Sequence, residues 1–227
     1  MKVVSWNLGF WQHRSKHNEA WEYLREEIKP DLALLQEVII NEIQPDEKII
    51  LNKIHGNWGT ALCTKKLYLE TVEFDSNYPN RVALGSTKSP KGFEVIAASI
   101  HAPIVNNRVF PHLDKIFDEL KEVLNCRTFI VGGDLNSARL CEKVWPGYGH
   151  GPFFKKLSES IFFDCFRKFH EKEEQTFFRK GCKRPFQDDH LFVSKNLADK
   201  VESCYVLNNE ITKSLSDHIA IICEIDI

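Results

Sequence analysis

Short apolar runs rich in β-forming residues alternate along this chain with stretches whose apolar positions return every three or four residues. The first run, "VVSWN" at 3–7, leads to a segment of about residues 15–28 in which Ala20, Trp21, Leu24 and Ile28 share one helical face. A second run, "DLALLQE" at 31–37, follows it. The order then repeats: "VIAASIH" at 95–101, a helix over about 110–124 in "FPHLDKIFDELKEVL", and "FIVGGDLN" at 129–136. Each half is strand, helix, strand, and each strand closes on a polar group: Asn7, Glu37, His101, and the pair Asp134 and Asn136.

Between the halves, "GTALCTK", "LYLETVEF" and "RVALGSTK" have the pattern of antiparallel strands joined by short turns. Beyond residue 150, "GPFFKKLSES" predicts a short helix opening at Gly-Pro, and "TFF", "DHLFVS", "VESCYVL" and "HIAIICEI" predict further strands. Runs such as "IAIICEI" are apolar on both faces, which requires strands covered on each side. The layer arrangement that satisfies this is two packed sheets with helices outside. No linker-like stretch and no short-period repeat interrupts the 227 residues, so one domain over 1–227 is expected.

Composition narrows the class. The chain is 43% hydrophobic and 11% aromatic, enough for a large core and too apolar for disorder. A formal charge of −2 excludes a strongly basic, histone-like grip on nucleic acid but leaves room for an enzyme with a local basic patch. Cysteines 63, 126, 141, 165, 182, 204 and 223 are scattered without C-x-x-C spacing, the pattern of reduced thiols in a cytoplasmic protein. No Cys or His pair falls at zinc-ligand spacing, no apolar run is long enough to span a bilayer, and "KVVSWN" enters a strand rather than a leader. No membrane association and no obligate protein partner are expected.

Parallel strands gather their C-terminal ends on one edge, where ligands of open α/β sheets bind. Asn7, Glu37, His101, Asp134 and Asn136 would then share a rim. "DDHLFVS" and "SDHIAII" instead place acid and imidazole at the start of a strand. If these strands run antiparallel to the others, Asp189, Asp217 and His218 reach the same rim within mixed sheets. Carboxylates and carboxamides are hard oxygen ligands suited to Mg²⁺ or Mn²⁺. Several like charges in one place call for a cation and an anionic substrate, and phosphoester cleavage uses both.

"SWNLG", "LLQEV", "SIHAP", "GGDLNS", "DDHLFVS" and "SDH" stand in the order seen in the endonuclease/exonuclease/phosphatase superfamily, which the chain resembles from residue 3 to about 225. The resemblance implies a four-layer α/β sandwich with two packed mixed β-sheets flanked by helices. It implies Glu37 as the principal metal ligand, with Asn7 beside it at metal and phosphate, and Asp217 as a further metal-side carboxylate. Asp134 resembles the carboxylate that activates water, and Asn136 its companion that orients water and phosphate. His218 resembles the imidazole that contacts the scissile phosphate, Asp189 the carboxylate that orients an imidazole, and His101 a residue facing the phosphate.

Other residues carry open alternatives. Asp188 competes with Asp189 and is assigned to a loop, while His190 alternates to another face and is assigned a structural role. The other six histidines match no motif and are assigned to surface or packing. The basic run "FRKGCKRP" at 178–185 is either a solvated loop or a phosphate-backbone contact. Arg81 and Arg108 are weaker candidates for substrate contact, and Phe10 and Trp11 either stack a base or pack in the core. Abasic-site endonucleases of the superfamily carry Tyr at the position of His101 and Pro-Asn shortly after it. Here "HAPIVNN" keeps Pro103 but has Ile104 where that Asn stands, which disfavours base-excision repair. The expected activity is a Mg²⁺- or Mn²⁺-dependent phosphodiesterase of nuclease type acting on nucleic acid. The alternatives are a phosphomonoesterase on a small phosphorylated metabolite or lipid headgroup and, more remotely, an inert binding module.

Overall fold

The computed structural model describes residues 1–178 and 185–227, so most of the basic run at 178–185 lies outside the described residues. In chain order the elements are β1 (Lys2–Asn7), α1 (His17–Tyr23), β2 (Leu32–Ile39), β3 (Glu47–His55), β4 (Trp58–Lys65), β5 (Leu69–Thr71), β6 (Val82–Lys88) and β7 (Glu94–His101). They continue with α2 (His112–Leu124), β8 (Phe129–Asp134), α3 (Arg139–Val144), α4 (His150–Glu159), β9 (Phe162–Asp164), β10 (Asp189–Ser194), β11 (Val201–Val206), α5 (Glu210–Leu215) and β12 (Ile221–Ile225). No helix among the described residues is long and apolar enough to cross a membrane.

The strands form two six-stranded mixed sheets, in the orders β11-β12-β1-β2-β4-β3 and β5-β6-β7-β8-β10-β9. Each sheet has one parallel pair at its centre, β1 with β2 and β7 with β8, and antiparallel neighbours on either side. Apolar residues on both faces of the strands are explained by three cores. Val3, Leu32, Leu34 and Leu62 of the first sheet meet Ala97, Ile130, Leu191 and Val193 of the second between the sheets. The alternate residues Val4, Trp6, Ala33 and Leu35 face outward onto Ala20, Trp21, Leu24 and Ile28. On the other side Ile100, Phe129 and Val131 meet Leu113, Ile116, Phe117 and Leu120 of α2 and Phe153 and Leu157 of α4. Period-two alternation thus supplies both faces of each sheet, and the result is the four-layer sandwich.

Several elements differ from the sequence expectations. Strand β3 lies in "EKIILNKIH", which was not among the expected strands; it is a half-exposed strand at the sheet edge, paired with β4. The helices α3 and α5 and the three-residue β9 were likewise not expected, and "LYLETVEF" yields only three residues of strand. "TFF" forms no strand, only an isolated bridge from Phe177 to His218. The segment at 15–28 begins with a 3₁₀ turn at Arg14–Lys16 and ends in a π turn at Leu24–Ile28.

Candidate active site

Strand ends carry the candidate residues to one place. In the parallel register His101 is the partner of Asp134, and across the antiparallel pair Asp134 is the partner of Asp189. Asn7 closes β1 beside Gln36 of β2, on the other sheet. At the site Asn7 Nδ2 donates to Asp134 Oδ2 at 3.0 Å, a hydrogen bond from one sheet to the other.

Glu37 does not close β2, which continues to Ile39. Leu35 pairs with Ala61 and Val38 with Gly59, so two residues of β2 oppose one of β4. This β-bulge places Glu37 in the left-handed region at φ 48, a conformation that costs a non-glycine residue roughly 1–2 kcal/mol. Gln36 turns inward to donate to Ser99 Oγ at 2.8 Å, and Glu37 is released towards the rim. Its side chain is 18% exposed, and His101 Nε2 lies 3.9 Å from Oε1. Burial and then the charge of Asp134 push the Glu37 carboxyl above its ordinary range.

Asp134 uses each oxygen differently. Oδ1 accepts from the backbone N–H of Asn136 at 2.9 Å, the Asx turn that such a strand end favours. Asn136 itself stands at φ 49, and its Nδ2 donates to the Ala102 carbonyl at 2.9 Å. Oδ2 accepts from Asn7 and faces both His101 Nε2 and His218 Nε2 at 3.7 Å. Asp134 therefore serves the turn with one oxygen and presents the other to the site.

His218 Nδ1 lies 2.8 Å from Asp189 Oδ2, which fixes the ring and leaves Nε2 facing Asp134. Burial alone would lower its pKa, but Asp189 and Asp134 together hold it well above the ordinary value, so the ring is an imidazolium at neutral pH. His101 is the opposite case. Burial outweighs Asp134 and brings it down to about 4, so it is neutral, and its buried Nδ1 has no hydrogen-bond partner among the described residues.

Asp217 and His218 precede β12 rather than opening it, because that strand starts at Ile221. They are held instead by Ser216, whose Oγ donates to the Asn7 carbonyl at 2.8 Å and accepts from His218 N–H at 3.1 Å. Gly9, at φ 61, brings its backbone against this segment: a Cβ there would lie 3.0 Å from Asp217 Oδ1. Arg81 is half-buried, its pKa lowered by burial and raised by the Glu37 charge, which places it beside the cluster. Arg108 is not brought in; it is exposed, with its guanidinium 5.5 Å over the Tyr148 ring. His190 is structural, buried with Nε2 2.9 Å from the Ser137 carbonyl.

Three contributors lay outside the motif reading. Ser216 is within "SDH" but only the fold shows that it ties Asn7 to His218. Phe177 lays its ring 4.8 Å from the His218 ring. Asp188, assigned to a loop, is buried just before β10, where its carbonyl accepts from Leu135 N–H at 2.8 Å. Burial and then Asp134 raise its carboxyl to about 8.

Residues 4–218 match the family model described as the endonuclease/exonuclease/phosphatase family. The chain belongs to that family. It is a hydrolytic phosphoesterase, as members of this family are. Among solved structures, an AP endonuclease from Archaeoglobus fulgidus is similar at 20% identity and TM-score 0.76, with 100% of each chain covered. A 3′ phosphatase from Neisseria bound to a product DNA hairpin is similar at 16% identity and TM-score 0.76, again over 100% of each chain. An AP endonuclease from Leishmania major matches at 16% identity and TM-score 0.76, with 100% of this chain and 87% of that one covered. These likenesses establish the fold. A comparison with curated protein sequences finds no match.

Proposed function

We propose that this family member is a Mg²⁺-dependent phosphodiesterase of nuclease type, working as one domain. The observation that carries the reading is Asp134 Oδ2, held by Asn7 at 3.0 Å and facing two histidine Nε2 atoms at 3.7 Å. That spacing is too long for direct hydrogen bonds, so Oδ2 and both Nε2 atoms remain available to a water or phosphate oxygen lying beside them.

Asp134 takes the proton from the attacking water, whose oxygen forms the new bond to phosphorus as the bond to the leaving oxygen breaks. Its other oxygen is held in the Asx turn, so the base cannot rotate away. His218, kept cationic by Asp189 and Asp134, turns its Nε2–H to a phosphoryl oxygen and offsets the charge that builds there. Neutral His101 faces the same space and positions the phosphate, and Asn136 holds water from the strand end. Nearby Arg81 adds positive charge on the substrate side.

The donor set fits a hard cation. Glu37, Asn7 and Asp217 offer oxygens, and the Glu37 carboxyl is raised partly by the Asp134 charge, a repulsion that a cation removes. Among the described residues no group of three or more His, Cys, Asp or Glu surrounds one ion position. Mg²⁺ keeps several waters and takes one or two carboxylates, so Glu37 and Asp217 would supply the charged ligands it needs. When bound, the ion supplies Lewis-acid polarisation of the phosphoryl oxygen. The solved Neisseria relative with its product DNA hairpin supports nucleic acid as the substrate class. The test is a panel of single-stranded and duplex nucleic acid against phosphate monoesters, with Mg²⁺ or with EDTA. Cutting of nucleic acid that EDTA abolishes is expected. Release of phosphate from monoesters with nucleic acid left intact would overturn the reading.

A further inference from the structure

The rim beside Glu37 carries an exposed aromatic ring on a rigid mount. Trp11 is 56% exposed, yet its surroundings are fixed. Its ring stands edge-on to Trp58 with centroids 5.4 Å apart, and Trp58 lies 5.9 Å from His101, so aromatic rings run from solvent to the site. The other side of the mount is Phe10, 5.8 Å from Trp11 and 5.5 Å from the buried His17. Backbone bonds pin the loop: Phe10 N–H donates to the Glu37 carbonyl at 3.3 Å, and Gln12 and His13 N–H donate to the Gly9 carbonyl at 3.1 and 2.7 Å. Trp11 N–H points at Glu37 Oε2 from 3.5 Å. The same loop supplies a cation. Arg14 is exposed, its guanidinium 5.4 Å over the Phe10 ring, and no carboxylate pairs with it among the described residues, whereas Lys16 is paired to Glu19.

We propose that Trp11 is a stacking platform for the nucleobase next to the scissile phosphate and that Arg14 contacts the adjoining backbone phosphate. The enzyme then selects single-stranded or frayed nucleic acid over intact duplex. This rests on the nuclease reading above and adds the strand form to it. A pre-mounted ring accepts any base face without ordering itself first, whereas a base in duplex must be unstacked before it can use the ring.

Binding is measured by fluorescence anisotropy in an Asp134→Asn background with Mg²⁺, so that the probe survives. The probes are labelled oligo(dT), an abasic backbone of equal length and a blunt duplex. Oligo(dT) is expected to bind more tightly than the other two. Trp11→Ala weakens oligo(dT) binding by roughly 5- to 150-fold, the range measured for one base–aromatic stack, and Trp11→Phe keeps most of the affinity. Arg14→Gln flattens the salt dependence on oligo(dT) by a slope of about 0.7. Wild-type affinity of Trp11→Ala for oligo(dT), or an equal loss on the abasic strand, overturns the inference while leaving nuclease activity standing. If the unmutated enzyme cuts and binds no nucleic acid but frees phosphate from monoesters, both readings fail together.

Discussion

The two strand–helix–strand halves occupy equivalent places in their sheets, β1-α1-β2 in one and β7-α2-β8 in the other, yet they deliver acids of different character. The second half ends on Asp134 without a break in register, and an Asx turn seizes one of its oxygens at once. Its side chain is 3% exposed and its second oxygen accepts from Asn7 across the sheet interface. The first half inserts an extra residue, leaves Glu37 at φ 48 and, among the described residues, gives its carboxylate only one long N–H contact, from Trp11 at 3.5 Å. One acid is held immobile by a hydrogen bond to each oxygen; the other is open. A base that must meet a water at one angle needs the first condition, while a cation ligand needs free lone pairs, as in the second. Under the proposed mechanism the same topology is split into base and ligand by local backbone, a bulge in one half and an Asx turn in the other.

The strongest way to break this contrast is Asp134→Asn. The amide keeps the size and the Oδ1 acceptor of the turn but removes the proton acceptor. Turnover is expected to fall by about a hundredfold or more, since general-base catalysis contributes roughly 10²–10⁴-fold, with circular dichroism and melting temperature close to wild type. A folded variant at near-normal activity would reduce Asp134 to a turn residue and erase the distinction between the halves.

Glu37→Gln sharpens the other side. A ligand that loses its charge should raise the Mg²⁺ concentration for half-maximal activity by at least the 10–100-fold typical of changes around a metal, while rate at saturating Mg²⁺ recovers much of its value. Turnover titrated against Mg²⁺ for both variants separates them: Asp134→Asn lowers the plateau, Glu37→Gln moves the midpoint. Identical curves for the two would mean that the acids share one role.

Much of this arrangement was legible in the sequence, for physical reasons that also mark where legibility stops. Continuous runs of apolar residues mark the central strands, because a strand buried on both faces carries apolar side chains at successive positions. Strand β3 escaped because an edge strand with Lys48 and Lys53 among its residues lacks such a long apolar run. Asn7, His101, Asp134 and Asp189 were readable as strand-terminal polar groups, since each interrupts an apolar run. The bulge at Glu37 was not, because it is a mismatch between β2 and β4 that neither strand reveals alone. Nor was Ser216, whose two partners are 209 and two residues away. Asp188 reads as a loop acid in the chain and becomes buried only when Leu135 and Thr176 close around its backbone.

That buried acid gives the smallest expected effect and a further difference between the halves. Glu37 is the sole acid of its strand end, but Asp134 stands close to both Asp188 and Asp189, and the structure bears the cost of that crowding. The Asp188 carboxyl, raised to about 8 by burial and by Asp134, is neutral in the folded protein at neutral pH, whereas in the unfolded chain it ionises near its ordinary value of 3.8. A carboxyl bound to its proton more tightly when folded destabilises the fold as pH rises. The loss begins near pH 4, grows up to about pH 8, and is constant above that. Asp188→Asn removes the titration while keeping the shape, so the variant should be more stable than wild type at pH 8, by a few kcal/mol at most. The gap should close as pH approaches 4. Urea unfolding of both proteins in EDTA across this range measures it. A stability difference independent of pH would show that Asp188 carries no raised proton affinity and that the second half's acids are not crowded.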